Sequence, residues 1–195
     1  MKRSLFSALC VVALIGFGCG SKPSSDSKSE IPVIDRQAIL FEARQNGLIM
    51  TDEEKLRMTD AAILRTVSGT FPSDVESYLK KDFSGWMSAA LADVTGGESF
   101  GLAFTQFKKG EFTLVAQLGN LSEPQTGYVY EGWLIRRGEK MSVVNAGVAR
   151  AVEKGHGLVF FSTEDLRDHD FFVLTLEPDD ANSSPGEHIL EGILR

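Results

Sequence analysis

From residue 86 to the end of the chain, short apolar runs of β-branched and aromatic residues are separated by turn signals. No other feature constrains the fold as much. Such runs read as strands, and Gly-, Asn- and Lys-containing breaks reverse the chain between them. The runs are residues 86–94, 99–107, 112–118, 128–135, 141–149, 157–162, 171–176 and 188–194. Thr95-Gly96-Gly97, Lys108-Lys109-Gly110-Glu111 and Arg136-Arg137-Gly138-Glu139 turn three of them. In the third run Phe112, Leu114 and Ala116 share one side. About eight short strands so spaced predict a mainly β domain, an antiparallel β-sandwich or a barrel, over 83–195. No strand–helix alternation occurs, which disfavours a doubly wound parallel sheet.

Residues 33–82 carry a different signal, that of a small helical hairpin preceding the β region. Residues 35–46 read as a helix with Ile39, Leu40 and Ala43 on one face and Asn46-Gly47 as its stop. Thr51-Asp52-Glu53-Glu54 has the form of a capping box. It opens a second helix predicted over 52–67, with Leu56, Thr59, Ile63 and Leu64 as its apolar stripe. Between the two, Leu48-Ile49-Met50 is apolar and needs a surface to pack on. That surface is expected to be the main domain, with a docked partner as the alternative. Ser73-Asp74-Val75-Glu76 predicts a cap for a third short helix ending near Lys81.

Upstream, Lys2 and Arg3 precede an apolar run over 5–17. A membrane-spanning helix needs roughly 20 apolar residues, so this run reads as the core of an export signal spanning 1–18. Gly16-Phe17-Gly18-Cys19 has small residues flanking a cysteine and resembles a lipobox, in which Cys19 becomes the lipidated first residue of the mature protein. Gly16 stands where Leu is usual. The alternative is an ordinary signal peptide that leaves a free thiol. Residues 19–32 then comprise the lipidated Cys and a Ser- and Lys-rich tether, too poor in apolar surface to offset its ordering entropy. The expected location is the extracytoplasmic face of the cell membrane or the outer membrane, with Cys19 as the membrane contact.

Charge and cysteine content narrow the function. The formal charge is −7. Losing Lys2 and Arg3 with the signal leaves 18 basic against 27 acidic residues, or −9. Such a surface repels phosphate backbones, so no nucleic-acid partner is expected. A basic-patch contact with anionic lipid is disfavoured for the same reason. Cys10 and Cys19 both precede the folded region, which excludes a disulfide framework, a Cys-ligated metal site and a blue-copper centre within it. No Gly-x-Ser-x-Gly elbow, phosphate loop or HExxH pattern occurs, and no cofactor is expected.

Two stretches carry a resemblance. They are YVYEGWL from Tyr128, followed by AGVARA around Gly147, and FFVLTLEPDDANSSPGEHILEG from Phe171. Together they resemble the extracytoplasmic β-sandwich domain of anti-sigma-K factors over roughly 86–195. Trp133, Gly147, Thr175, Glu177, Pro178, Pro185 and Gly186 match its pattern. The resemblance implies an outward-facing sensory or binding module. It does not extend to the cytoplasmic sigma-binding domain or the membrane-spanning helix of that family. The helical segment here follows the export signal and has no His/Cys zinc pattern.

Individual residues add expectations. Trp133 is expected to anchor the core. Glu177, before Pro178 and beside apolar neighbours, needs a salt bridge or amides of the following loop if buried. Glu164, Asp165, Asp168 and Asp170 form one acidic group, and Asp179 and Asp180 another. Were the two to meet, their oxygens would suit Ca²⁺; solvated loops are the default. His156, His169 and His188 are placed in turns, with no metal-binding spacing. The expected function is a non-enzymatic, lipid-anchored interaction module with an envelope protein partner. The alternatives are a metal-dependent cell-envelope hydrolase using the acidic loops and a structural spacer.

Overall fold

The computed structural model describes residues 34–62, 69–180 and 184–195. The export signal, Cys19, the tether, and Ile63 and Leu64 lie outside the described residues.

Local chemistry sets the helices. In α1 (Arg36–Gln45) the Asp35 carboxylate accepts from the amide of Ala38. Its far end closes as a Schellman motif: Leu48 N–H donates to Ala43 O and Gly47 N–H to Arg44 O, with Gly47 at φ +67°. α2 (Asp52–Ala62) starts with the expected capping box. Thr51 N–H donates to Glu54 Oε2 at 2.9 Å, and Glu54 N–H donates back to Thr51 Oγ1 at 3.2 Å. In α3 (Val75–Leu79) the cap is Asp74, accepting from Ser77, one residue later than the Ser73 pattern indicates. A carboxylate accepts a charge-assisted bond, so it outcompetes the neighbouring hydroxyl.

The fold is mainly β, and all its strands are antiparallel. Eight longer strands fall where the sequence pattern puts them: β2 (Met87–Asp93), β3 (Phe100–Lys108), β4 (Glu111–Gly119), β5 (Tyr128–Arg136), β6 (Ser142–Val148), β8 (Gly155–Ser162), β9 (Phe171–Pro178) and β10 (Glu187–Ile193). Two short ones, β1 (Gly69–Thr70) and β7 (Arg150–Val152), bring the number to ten, because two or three residues show no periodicity. The ten form one sheet in the order β1-β8-β4-β3-β2-β10-β9-β5-β6, with β7 also on β8. It is nearly closed into a barrel. Between β2 and β10 Leu190 pairs with Asp93 and Glu191 with Ala92, and Val94 N–H to Ile189 O and the mutual Ser88–Arg195 bonds extend the join. On either side of it lie four strands, β8-β4-β3-β2 and β10-β9-β5-β6, and the inward residues of both halves share the main core. At the other seam β6 approaches β8 without pairing.

That core is built by inward residues of both halves, among them Leu91, Phe112, Leu114, Leu134, Leu158, Phe160, Phe172, Leu174 and Leu190. Helices cover the outer faces. Met50, Met58 and Ala62 pack on Trp133, Ile135, Val143, Phe171 and Val173 of one half. Val75 of α3 packs on Val115 and Val159 of the other. The stripe expected on α2 is corrected: Leu56 is 70 % exposed and Met58 is fully buried. α1 buries no residue, so its expected apolar face is not a core face. Ile49 and Met50 are buried, whereas Leu48 is not.

Candidate functional site at the barrel seam

The open seam between β6 and β8 is bridged by residues 69–72, and a cleft of about 450 Å³ lies there. Phe71, Pro72, Val75, Val148 and Val159 supply apolar wall; Glu131, Asn145 and Arg150 supply polar groups. The seam closes on a facing glycine pair, Gly132 of β5 and Gly147 of β6. A Cβ on Gly132 would lie 2.6 Å from Leu158 of β8. A Cβ on Gly147, at φ +90°, would lie 2.3 Å from Phe71. Beside this pair the β5–β6 register slips by one residue, a β-bulge of the kind that re-aims side chains at binding edges.

On the helix-covered face a polar row crosses β6, β5 and β9. Asn145 Nδ2 donates to Glu131 Oε2 at 3.1 Å, while Asn145 Oδ1 accepts from Gly147 N–H at 2.7 Å. Trp133 Nε1–H donates to Thr175 Oγ1 at 2.7 Å, and the Thr175 hydroxyl donates to Glu131 O at 3.5 Å. Burial raises the Glu131 carboxyl above its ordinary range, and the negative charges of Glu177 and Asp179 push the same way. The Asn145 bond offsets only part of this.

The motif residues gather around this row. Trp133 is buried and anchors the outer cluster, as expected of it. Thr175 is its hydrogen-bond partner and Gly147 admits Phe71. Glu177 is buried, and Gly186 N–H of the following loop donates to its Oε1 at 2.7 Å. Gly186 is needed there, since a Cβ would lie 2.6 Å from Leu176 O. Pro178 ends β9 and pairs with Tyr128, and Pro185 lies half-buried at the start of the return strand. Glu131, Asn145, Arg150 and Phe71 are not marked by the sequence motifs. Their one sequence signal is a lone charge inside an apolar strand, Glu131 in YVYEGWL.

All three histidines are buried; His156 in β8 and His188 in β10 are corrected from turns to strands, while His169 closes the turn that starts at Leu166. His188 Nδ1–H donates to Glu191 Oε1 at 2.7 Å in β10. The other Glu191 oxygen accepts from Met50 N–H at 2.5 Å, and Lys55 Nζ stands 3.7 Å away. This charge cluster ties the helical hairpin to the sheet. His169 Nδ1–H donates to Asp168 Oδ1 at 2.7 Å, and Ser142 Oγ lies 3.0 Å from His169 Nε2. The order Asp–His–Ser imitates a nucleophile triad. Ser142 and His169 are both buried, however, and Asp168 is held by Arg136. The chain of bonds fastens the loop before β9 to the β5–β6 hairpin. His156 sits in β8 edge-on to Tyr130, with a buried Nδ1 that has no partner.

The two acidic groups do not meet. They flank opposite ends of β9, whose eight residues set them about 24 Å apart. Asp165 pairs with Arg167, and Asp168 with Arg136. Burial opposes ionisation of Asp168, but the Arg136 and His169 bonds outweigh it and hold the carboxyl below its ordinary range. Among the described residues no three His, Cys, Asp or Glu side chains converge as metal ligands, and no helix is long and apolar enough to cross a membrane.

Neither a protein-family model nor a curated protein nor a solved structure matches this chain.

Proposed function

We propose that this chain is a lipid-anchored, extracytoplasmic binding module without catalytic activity, held by Cys19 and recognising an envelope protein through the seam cleft. One observation carries the reading. Glu131, Asn145 and Arg150 stand on the walls of a single cleft whose apolar side chains are Phe71, Pro72, Val75, Val148 and Val159. A few charged groups among apolar walls suit recognition of a polypeptide segment that carries both charge and apolar side chains. The apposition of two four-stranded halves across one core supports reading the domain as a sandwich like that of anti-sigma-K factors. The acidic loops favour no metal-dependent hydrolase, since Asp165 and Asp168 are engaged by arginines and the two acidic groups are separated by the length of β9.

The test is photo-crosslinking in intact cells from Val148, which lines the cleft and is exposed. One reproducible envelope protein is expected, lost on Glu131→Lys. No crosslinked protein, or one indifferent to that charge reversal, overturns the cleft as the binding surface. The mass of Cys19 in membrane-purified protein tests the anchor separately.

A further inference from the structure

We infer that the face formed by α1 and the outer side of β2–β3 is the surface this protein lays against the lipid bilayer. The inference rests on the lipid-anchor reading but not on the seam cleft.

Several observations converge on this face. α1 buries none of its residues, although Ile39 is 55 % exposed beside Leu40. Ile39 and Leu48 border a shallow groove of about 650 Å³ whose floor includes Ala90 and Ala92 of β2. Ala90 faces Leu102 and Ala92 faces Phe100 in the β2–β3 register. Ala90 and Ala92 are exposed, Phe100 is 61 % exposed and Leu102 43 %. These residues make a continuous apolar strip on a sheet face that an isolated domain would cover or fill with polar groups.

The charge distribution selects the occupant. The chain carries −7 overall, yet residues 86–92 and 99–107 contain no charged side chain. Residues 34–50 balance two acids, Asp35 and Glu42, with Arg36 and Arg44. An acidic protein near anionic lipid is repelled everywhere except at such a neutral face. Chain connectivity points the same way. Arg36, the first residue of α1, lies 17 positions after Cys19, so the anchor is at most about 60 Å from α1 even with the chain fully extended. The first helix after the anchor contributes Ile39 to the apolar face. Apolar side chains seated at the headgroup boundary add area-proportional binding to that of the anchor and orient the domain on the bilayer.

The test uses the full chain, with Cys10→Ser, coupled through Cys19 to a maleimide phospholipid in vesicles of phosphatidylethanolamine and phosphatidylglycerol. Side-chain labelling by a photoactivated diazirine is compared with and without vesicles. Labelling of Ile39, Leu48, Phe100 and Leu102 is expected to fall several-fold on vesicles, with Tyr128 unchanged. Equal labelling in both states overturns the inference. So does a fall that needs no vesicles and tracks protein concentration, which would make a second copy the occupant. Because the coupling supplies the anchor, an unacylated Cys19 in cells would sink the lipoprotein reading without deciding this result.

Discussion

Glu191→Ala should unfasten the helical hairpin. The Glu191 side chain has no solvent exposure, and three groups converge on it: Met50 N–H at 2.5 Å, His188 Nδ1 at 2.7 Å and Lys55 Nζ at 3.7 Å. Removing the carboxylate strands the Met50 amide and leaves His188 without its acceptor inside the protein. Breaking a buried charge pair in this way costs about 3–5 kcal/mol. For a domain of this size that corresponds to a fall of about 6–20 °C in Tm. Thermal unfolding by circular dichroism reads the magnitude, and amide exchange locates it: α1 and α2 should exchange faster while β3, β4 and β8 keep their protection. Glu191→Gln preserves the shape and an acceptor for Met50, so its loss should be only about 1–2 kcal/mol. A Tm shift under about 2 °C for the alanine variant, or exchange accelerated equally in every strand, would refute the fastening role.

Gly147→Ala forces a side chain into φ +90° and into the Phe71 ring. It should cost about 1–3 kcal/mol by chemical denaturation and abolish Val148 crosslinking by displacing Phe71. Glu131→Gln removes a carboxyl whose folded-state pKa lies above the ordinary 4.5. A raised value means that its favourable contribution exists below 4.5 and disappears as pH rises through the folded value. Tm measured across that window should therefore fall less with rising pH in the variant than in the parent. Asp93 behaves oppositely. Burial opposes its ionisation, but the bonds from Thr95, Ser99 and Gly97 prevail and depress its pKa. Its contribution is present above 3.8 and lost as pH falls through the folded value, so Asp93→Asn should flatten the acid limb of the Tm profile.

The strands are readable as short apolar runs bounded by turn signals. One-sided burial makes β2 alternate between exposed and buried residues, whereas β4 is buried throughout 112–116 and reads as a strand from its length and the turn that precedes it. The helix caps were equally legible, since a capping box is a local contract between residues three apart. The stripe of α2 was not. Leu56 reads as a core residue by composition, but the contact with Trp133 and Val143 is set by how α2 lies on β5 and β6, which no local pattern encodes. The closing pairings of the sheet are likewise between residues far apart in sequence, as with β4 and β8.

The site residues show the same division more sharply. Trp133, Thr175, Glu177 and Gly186 stand out in the sequence because they match the pattern of the two stretches that carry the resemblance. Glu131 and Glu191 do not stand out, because a single acid in an apolar strand reads as an outward, solvated residue. Both do point outward from the main core. The outer face, however, is not solvent: α2 and Met50 cover part of it, and that cover turns Glu191 into a buried anchor while leaving Glu131 half-buried at the cleft. The two carboxylates share a face and differ only in what lies over them. Glu191 is matched by an amide, a histidine and a lysine, so it serves the fold. Burial and two neighbouring acids oppose the ionisation of Glu131, and the Asn145 amide offsets only part of this. Under the proposed function, a ligand bringing a positive charge to Glu131 supplies the partner that the fold does not.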